Sequence, residues 1–269
     1  MKISRLLPVV MAASLVSAPA AAADPVLLHA AGSLRLAFTD MSKAFGAATG
    51  LSVQAKYGAS GLLKDEIMAG AKAEVFASAN MEHPQALSAA GRSGPVTAFA
   101  RNRLCALVRP GLSVGPSDLL ATMLNPNVKL GTSTPRHDPS GDYAWDLFRK
   151  AEAIKTGAFA TLNQKALQLT GAPDSPPAPA GKNIYGALIA AGKADIFLTY
   201  CTNASVAKKE NPGQQIVALP NELAVGAEYG LTVMAGASPN ARRLADFILS
   251  PAGQRILAAH GFAAPKLPD

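Results

Sequence analysis

Two serines stand where backbone chemistry favours an anion. Ser33 ends an apolar run, Leu27-Leu28-His29-Ala30-Ala31-Gly32, and apolar residues at helical spacing follow it: Leu34, Ala37, Phe38, Met41 and Phe45. That pattern reads as strand, tight turn and helix, with Ser33 expected as the helix N-cap. Ser60 repeats the arrangement within Tyr57-Gly58-Ala59-Ser60-Gly61-Leu62-Leu63. A helix N-terminus presents unpaired backbone N–H groups and a partial positive charge, which suits a small anion. Either serine alone reads as an ordinary cap, worth about 1 kcal/mol. Their repetition at equivalent strand ends points instead to a clamp. A third strand-to-helix turn, Thr134-Pro135-Arg136-His137-Asp138-Pro139-Ser140-Gly141, again sets hydroxyls and glycine at a helix start.

Other chemistries fit less well. Gly58-Ala59-Ser60-Gly61 resembles the Gly-x-Ser-x-Gly elbow of serine hydrolases, but its second glycine is one position early and no base or acid follows in an evident pattern. An exported serine hydrolase built on Ser60 is the weakest alternative, and a non-enzyme is expected. His29, His83, His137 and His260 are scattered and lack metal-ligand spacing. No block of Lys and Arg resembles a nucleic-acid patch, and with aromatics at 6% base stacking has little to work with. The formal charge of +7 falls to +5 once Lys2 and Arg5 are lost with a leader, a mild surplus that favours encounter with anions.

That leader is read from residues 1–23: a basic start, an apolar stretch over 6–16 and the small-residue tail Ala20-Ala21-Ala22-Ala23. It has the form of a secretory signal cleaved near Ala23, its apolar core being too short to span a bilayer. Export to the periplasm is expected. Cys105 and Cys201 are the only cysteines, and an even count in an exported chain permits one disulfide without fixing it.

The elements that must position these residues alternate. Strands are expected at 26–31, 51–55 and 74–79 with helices at 33–45 and 60–69 between them, so the connections are right-handed crossovers of a parallel sheet. Ligands bind such sheets beyond the carboxyl ends of the strands, where Ser33 and Ser60 lie. Further strands are expected at 103–108, 128–133, 194–200, 216–219 and 229–234, and helices at 118–123, 142–151, 184–191, 239–249 and 251–260. The Pro-rich stretch 171–181 reads as an extended surface loop. The restarted α/β pattern implies two similar lobes with a cleft between them.

Seven segments, in order, resemble the periplasmic molybdate-binding proteins of bacterial ABC transporters. They are Ala30-Ala31-Gly32-Ser33-Leu34, Tyr57-Gly58-Ala59-Ser60-Gly61-Leu62, Ala73-Glu74-Val75-Phe76-Ala77-Ser78-Ala79, Pro139-Ser140-Gly141-Asp142-Tyr143-Ala144, Asn183-Ile184-Tyr185-Gly186-Ala187-Leu188, Ala194-Asp195-Ile196-Phe197-Leu198-Thr199-Tyr200 and Phe247-Ile248-Leu249-Ser250-Pro251-Ala252-Gly253-Gln254. The resemblance implies an α/β, two-lobed, type 2 periplasmic-binding-protein fold, each lobe a mostly parallel sheet flanked by helices. Lobe I would comprise 24–100 and 222–269, and lobe II 101–221. It implies a molybdate or tungstate oxyanion held in the cleft by Ser33 and Ser60 of the first lobe and by Ser140, Ile184 and Tyr200 of the second. It also implies a monomer that needs no cofactor and delivers the anion to a permease in the inner membrane. In that fold the strand at 103–108 lies beside 196–200, which makes a Cys105–Cys201 disulfide plausible.

The chain departs from the family pattern at Arg136, His137 and Asp138. Asp138-Pro139-x-Gly141 resembles a tungstate/molybdate branch in which an aspartate helps make a six-coordinate metal. That branch has a second carboxylate before the tyrosine, where this chain has Thr199, so no direct metal ligands are expected. Asp138 would repel a dianion unless paired, and Arg136 is the candidate partner. A different small anion, such as a carboxylate, is the alternative ligand.

Overall fold

The computed structural model describes residues 23–265. The expected leader therefore lies outside the described residues, but for its last position. In chain order the elements are β1 (Val26–Ala31), α1 (Arg35–Thr49), β2 (Val53–Gly58), α2 (Ser60–Met68), β3 (Val75–Ser78), α3 (Glu82–Ala89), β4 (Thr97–Val108), α4 (Leu119–Leu124), β5 (Leu130–Ser133) and α5 (Pro139–Ile154). There follow α6 (Ala158–Lys165), β6 (Leu167–Thr170), α7 (Ile184–Ala190), β7 (Ile196–Tyr200), α8 (Cys201–Glu210), β8 (Gln215–Ala218), β9 (Gly226–Val233), α9 (Pro239–Leu249) and α10 (Pro251–Ala259).

Local signals account for many of these boundaries. Proline at the first turn and apolar Ala241, Leu244, Ala245 and Ile248 on one face make α9 amphipathic. The Ser250 hydroxyl accepts the Gly253 N–H and caps α10. Gly50, left-handed at φ 73°, ends α1. Among the described residues no helix is long and apolar enough to cross a membrane.

The sheet is organised about β4. Parallel strands β2, β1 and β3 come first, and β3 pairs antiparallel with β9. The first part of β4, residues 97–103, pairs antiparallel with β9, and its second part, 104–108, with β7. There β8 takes the other edge of β4, and β7 leads on to β5 and β6 in parallel. The strand expected at 103–108 is thus only the inner half of a 12-residue strand shared by both lobes. Pairing is parallel in the outer strands of each lobe and antiparallel where β4 and β9 join them.

Each lobe has its own core. Phe38, Phe45, Phe99 and Tyr229 anchor the first, and Leu119, Met123, Leu147 and Phe148 the second. Tyr200 belongs to the first core although it ends β7 of the second lobe. The two lobes therefore meet at that tyrosine.

Candidate functional site

The two serine turns differ from their expected form. A 3-10 turn, Gly32–Leu34, stands between β1 and α1, so Ser33 is not the helix cap. Its half-buried hydroxyl instead lies 2.9 Å from the Tyr229 hydroxyl, a partner on β9 that local sequence does not reveal. Ser60 is the first residue of α2 and is buried; its Oγ accepts the Ala79 N–H at 3.1 Å. A serine hydroxyl that accepts one bond still has its proton to donate.

Three tyrosines connect these serines. The Tyr200 ring lies 5.7 Å from that of Tyr229 and 6.3 Å from that of Tyr143. Tyr200 and Tyr143 both direct their hydroxyls at the Ala79 carbonyl, at 3.4 and 3.5 Å. Asn102 on β4 donates to Tyr229 Oη at 3.3 Å and to Thr202 Oγ1 at 2.9 Å. A path of polar contacts and tilted, packed rings thus runs from Ser33 through Tyr229, Tyr200 and Ala79 to Ser60. Burial raises the ionisation of all three phenols far above the ordinary range, so they stay neutral O–H donors. Tyr143, Tyr229 and Asn102 are members that local sequence does not single out, although Tyr143 falls inside the family-like segment Pro139-Ser140-Gly141-Asp142-Tyr143-Ala144.

The opposite wall is built around the start of α5. Asp138 is the N-cap of α5 and accepts the Ser140 N–H at 3.0 Å, while Ser140 Oγ donates to Ser133 Oγ at 2.8 Å. Burial pushes the Asp138 carboxyl up, opposed by hydrogen bonds from the Ser140 backbone and the Ser133 and Ser140 hydroxyls. The expected pairing with Arg136 is not made. Arg136 is exposed, takes a left-handed backbone at φ 69°, and gives its backbone N–H to Asp142 Oδ1 at 2.8 Å. The Asp142 carboxyl is itself pushed up to about 6, chiefly by burial and further by Glu82, Asp138 and Asp146.

Ile184 opens α7. Its cap, Asn183, takes the N–H groups of Tyr185 and Gly186, both at 3.1 Å, and not that of Ile184. A cavity of about 500 Å³ separates this helix start from the Ser33 turn. Ser33, Arg35, Lys182, Ile184, Thr202 and His260 are among its walls. Ser60, Ser140 and Tyr200 are not among them; Ser60 and Tyr200 belong to the buried network joined to Ser33, and Ser140 to the Asp138 cluster.

Two links brace the site. Cys105 on β4 and Cys201, which follows Tyr200, form a disulfide with Cα atoms 4.9 Å apart. Across the cleft, the Gly61 N–H donates to the His137 carbonyl at 2.7 Å. Among the described residues no group of three His, Cys, Asp or Glu is placed to hold a metal ion. The Ser60 hydroxyl has no histidine among its hydrogen-bond partners there.

Comparison with known proteins fits this geometry. Residues 26–263 match the family described as bacterial extracellular solute-binding protein. An uncharacterized protein of Pasteurella multocida is 35% identical, covering 87% of this chain and 96% of that one. The molybdate-binding protein ModA of Mycobacterium bovis is 28% identical, covering 94% and 90%. The solved sulfate-binding protein SubI of Mycobacterium tuberculosis superposes with a TM-score of 0.74 at 18% identity, over 90% of this chain and 87% of that one. The two-lobed fold is that of the periplasmic binding proteins, and the chain belongs to the family of bacterial extracellular solute-binding proteins.

Proposed function

We propose that the chain captures a tetrahedral oxyanion, molybdate or tungstate, between its lobes and hands it to an ABC importer permease in the inner membrane. Lobe I comprises 24–100 and 222–269 and lobe II 101–221, and the protein works as a periplasmic monomer after losing its leader near Ala23. The observation that carries the reading is the path from Ser33 through Tyr229, Tyr200 and Ala79 to Ser60. It offers neutral donors fixed by their own neighbours, and an anion held by such donors needs no counter-charge. The ligand role of Ser33, Ser60 and Tyr200 rests on this arrangement and on the molybdate-binding relative, and that of Ser140 and Ile184 on the relative and on their places at the starts of α5 and α7.

Closing follows from differential contact. An anion that touches both lobes only when they meet stabilises the closed form by that difference. A smaller tetrahedron such as sulfate cannot reach every donor at good hydrogen-bond length. Titration calorimetry with molybdate, tungstate, sulfate and phosphate tests this. Molybdate and tungstate should bind, with sulfate at least tenfold weaker, about 1.4 kcal/mol. Equal affinity for all four removes the assignment of the anion.

One observation favours a second reading, a different small anion such as a carboxylate. Asp138 has no cationic partner among the described residues, and its charge would oppose a full dianion. Native mass spectrometry of protein purified without added oxyanion separates the two. A retained organic mass supports the second reading, and a retained metal oxyanion the first.

A further inference from the structure

The Arg136–His137–Asp138 loop, which departs from the resembled family, has its own physical task. Its backbone reaches across the cleft to the first turn of α2, where the Gly61 N–H donates to the His137 carbonyl at 2.7 Å. Gly61 is buried. A Cβ there would lie 2.7 Å from the His137 oxygen and closer still to that of Arg136. Glycine is therefore required by close approach of two backbones, one from each lobe. The loop is held in a form that costs energy, since Arg136 is left-handed without being glycine, a conformation worth about 1–3 kcal/mol of strain. Asp142 offsets that cost by accepting the Arg136 N–H at 2.8 Å. The Asp138 N–H closes the same turn onto the Thr134 carbonyl at 3.0 Å.

We propose that this loop is a latch that holds the closed cleft through the bond from Gly61 to His137, with Asp142 as the residue that positions it. The latch rests on the reading of the protein as a solute binder whose lobes close. Ligand contacts select the closed state and the latch lengthens its lifetime. Anions of different identity should leave at rates that share this common contribution, because neither Gly61 nor His137 contributes its side chain to it.

The test uses the full chain and three variants. Gly61→Ala cannot close fully and should release bound molybdate about tenfold faster in stopped-flow experiments. Asp142→Ala frees the Arg136 N–H, whereas Asp142→Asn keeps an oxygen acceptor and should restore wild-type release. Should Gly61→Ala fold poorly, the Asp142 pair decides alone. A second readout is amide exchange at Gly61, which should be protected in wild type and in Asp142→Asn and lose protection in Asp142→Ala. Release within twofold of wild type in Gly61→Ala, or Gly61 exchange unchanged in Asp142→Ala, overturns the latch. If wild type binds none of the four anions, the ligand reading fails. The latch is then judged by Gly61 exchange in ligand-free protein, by the same criterion.

Discussion

The two walls of the cleft solve the same problem with different chemistry. On the first wall Ser33 and Ser60 are each tied to a neutral group of their own lobe, a phenol on β9 and a backbone amide after β3. Nothing in that wall's network changes charge near neutral pH, because burial keeps Tyr229 protonated. On the second wall Asp138 and Asp142 are carboxyls pushed upward by burial, and the chain just before them is strained at Arg136. A neutral, locally fixed set of donors suits any oxyanion of the right size. A titratable and strained set responds to which anion is present, to pH and to closure. Under the proposed function, the first wall is the generic half of the site and the second is where selectivity and closing are decided.

The largest effect should come from breaking what both walls share. Tyr200 packs on Tyr143 of one lobe and Tyr229 of the other, so Tyr200→Ala should cost about 3–5 kcal/mol in denaturant unfolding. Next, Ser60→Ala removes a donor from the generic wall. Affinity should fall by about tenfold to a hundredfold in calorimetry, by the same factor for every tetrahedral anion, since hydrogen bonds to charged groups are worth about 1.5–3 kcal/mol. Unequal losses would make the first wall selective too and collapse the contrast.

Asp138→Asn should act differently. In wild type, rising pH ionises the carboxyl, whose folded pKa is raised, and dianion affinity falls. In the variant that fall should vanish and molybdate should bind several-fold more tightly at high pH, as read by calorimetry across pH. The smallest effect is expected at Asp142. Its folded pKa of about 6 exceeds the ordinary 3.8, so the folded state holds the extra proton between those values. Its contribution to stability is present below about 4 and is lost as pH rises to 6. Asp142→Asn should remove that component from the dependence of melting temperature on pH. The charges of Glu82, Asp138 and Asp146 push the same carboxyl further up and so enlarge the loss.

How much could be read in advance depended on how local each cause is. The strand at 26–31 and the helix at 239–249 were legible because apolar spacing, proline and glycine mark them within a few residues. Helix α8 was not, since Lys208, Lys209 and Glu210 follow a polar start and leave no clear apolar stripe. Strand β6, four exposed or half-buried residues, also lacks a pattern. The positions of Ser33 and Ser60 on turns were visible, but the partner of Ser33 lies 196 residues away on β9. The same distance in sequence hid Asn102, whose side chain joins β4 to Tyr229 and Thr202. Arg136 and Asp138 stand out by residue type alone, as departures from the family pattern. That Asp142, and not Asp138, would hold the Arg136 backbone is a matter of turn geometry that residue types do not specify.

The Cys105–Cys201 bond carries a consequence for how the molecule matures. It ties the strand common to both lobes to the residue after Tyr200, and it closes a loop of 96 residues containing β5, β6 and β7. In the chain-entropy account a loop near that length restricts the unfolded ensemble by about 4.7 kcal/mol. Before oxidation the second lobe must fold and hold Tyr200 in place without that restriction. Oxidation then widens the gap between the folded and the unfolded chain without adding order to the folded one, so the reduced chain should unfold at a lower denaturant concentration.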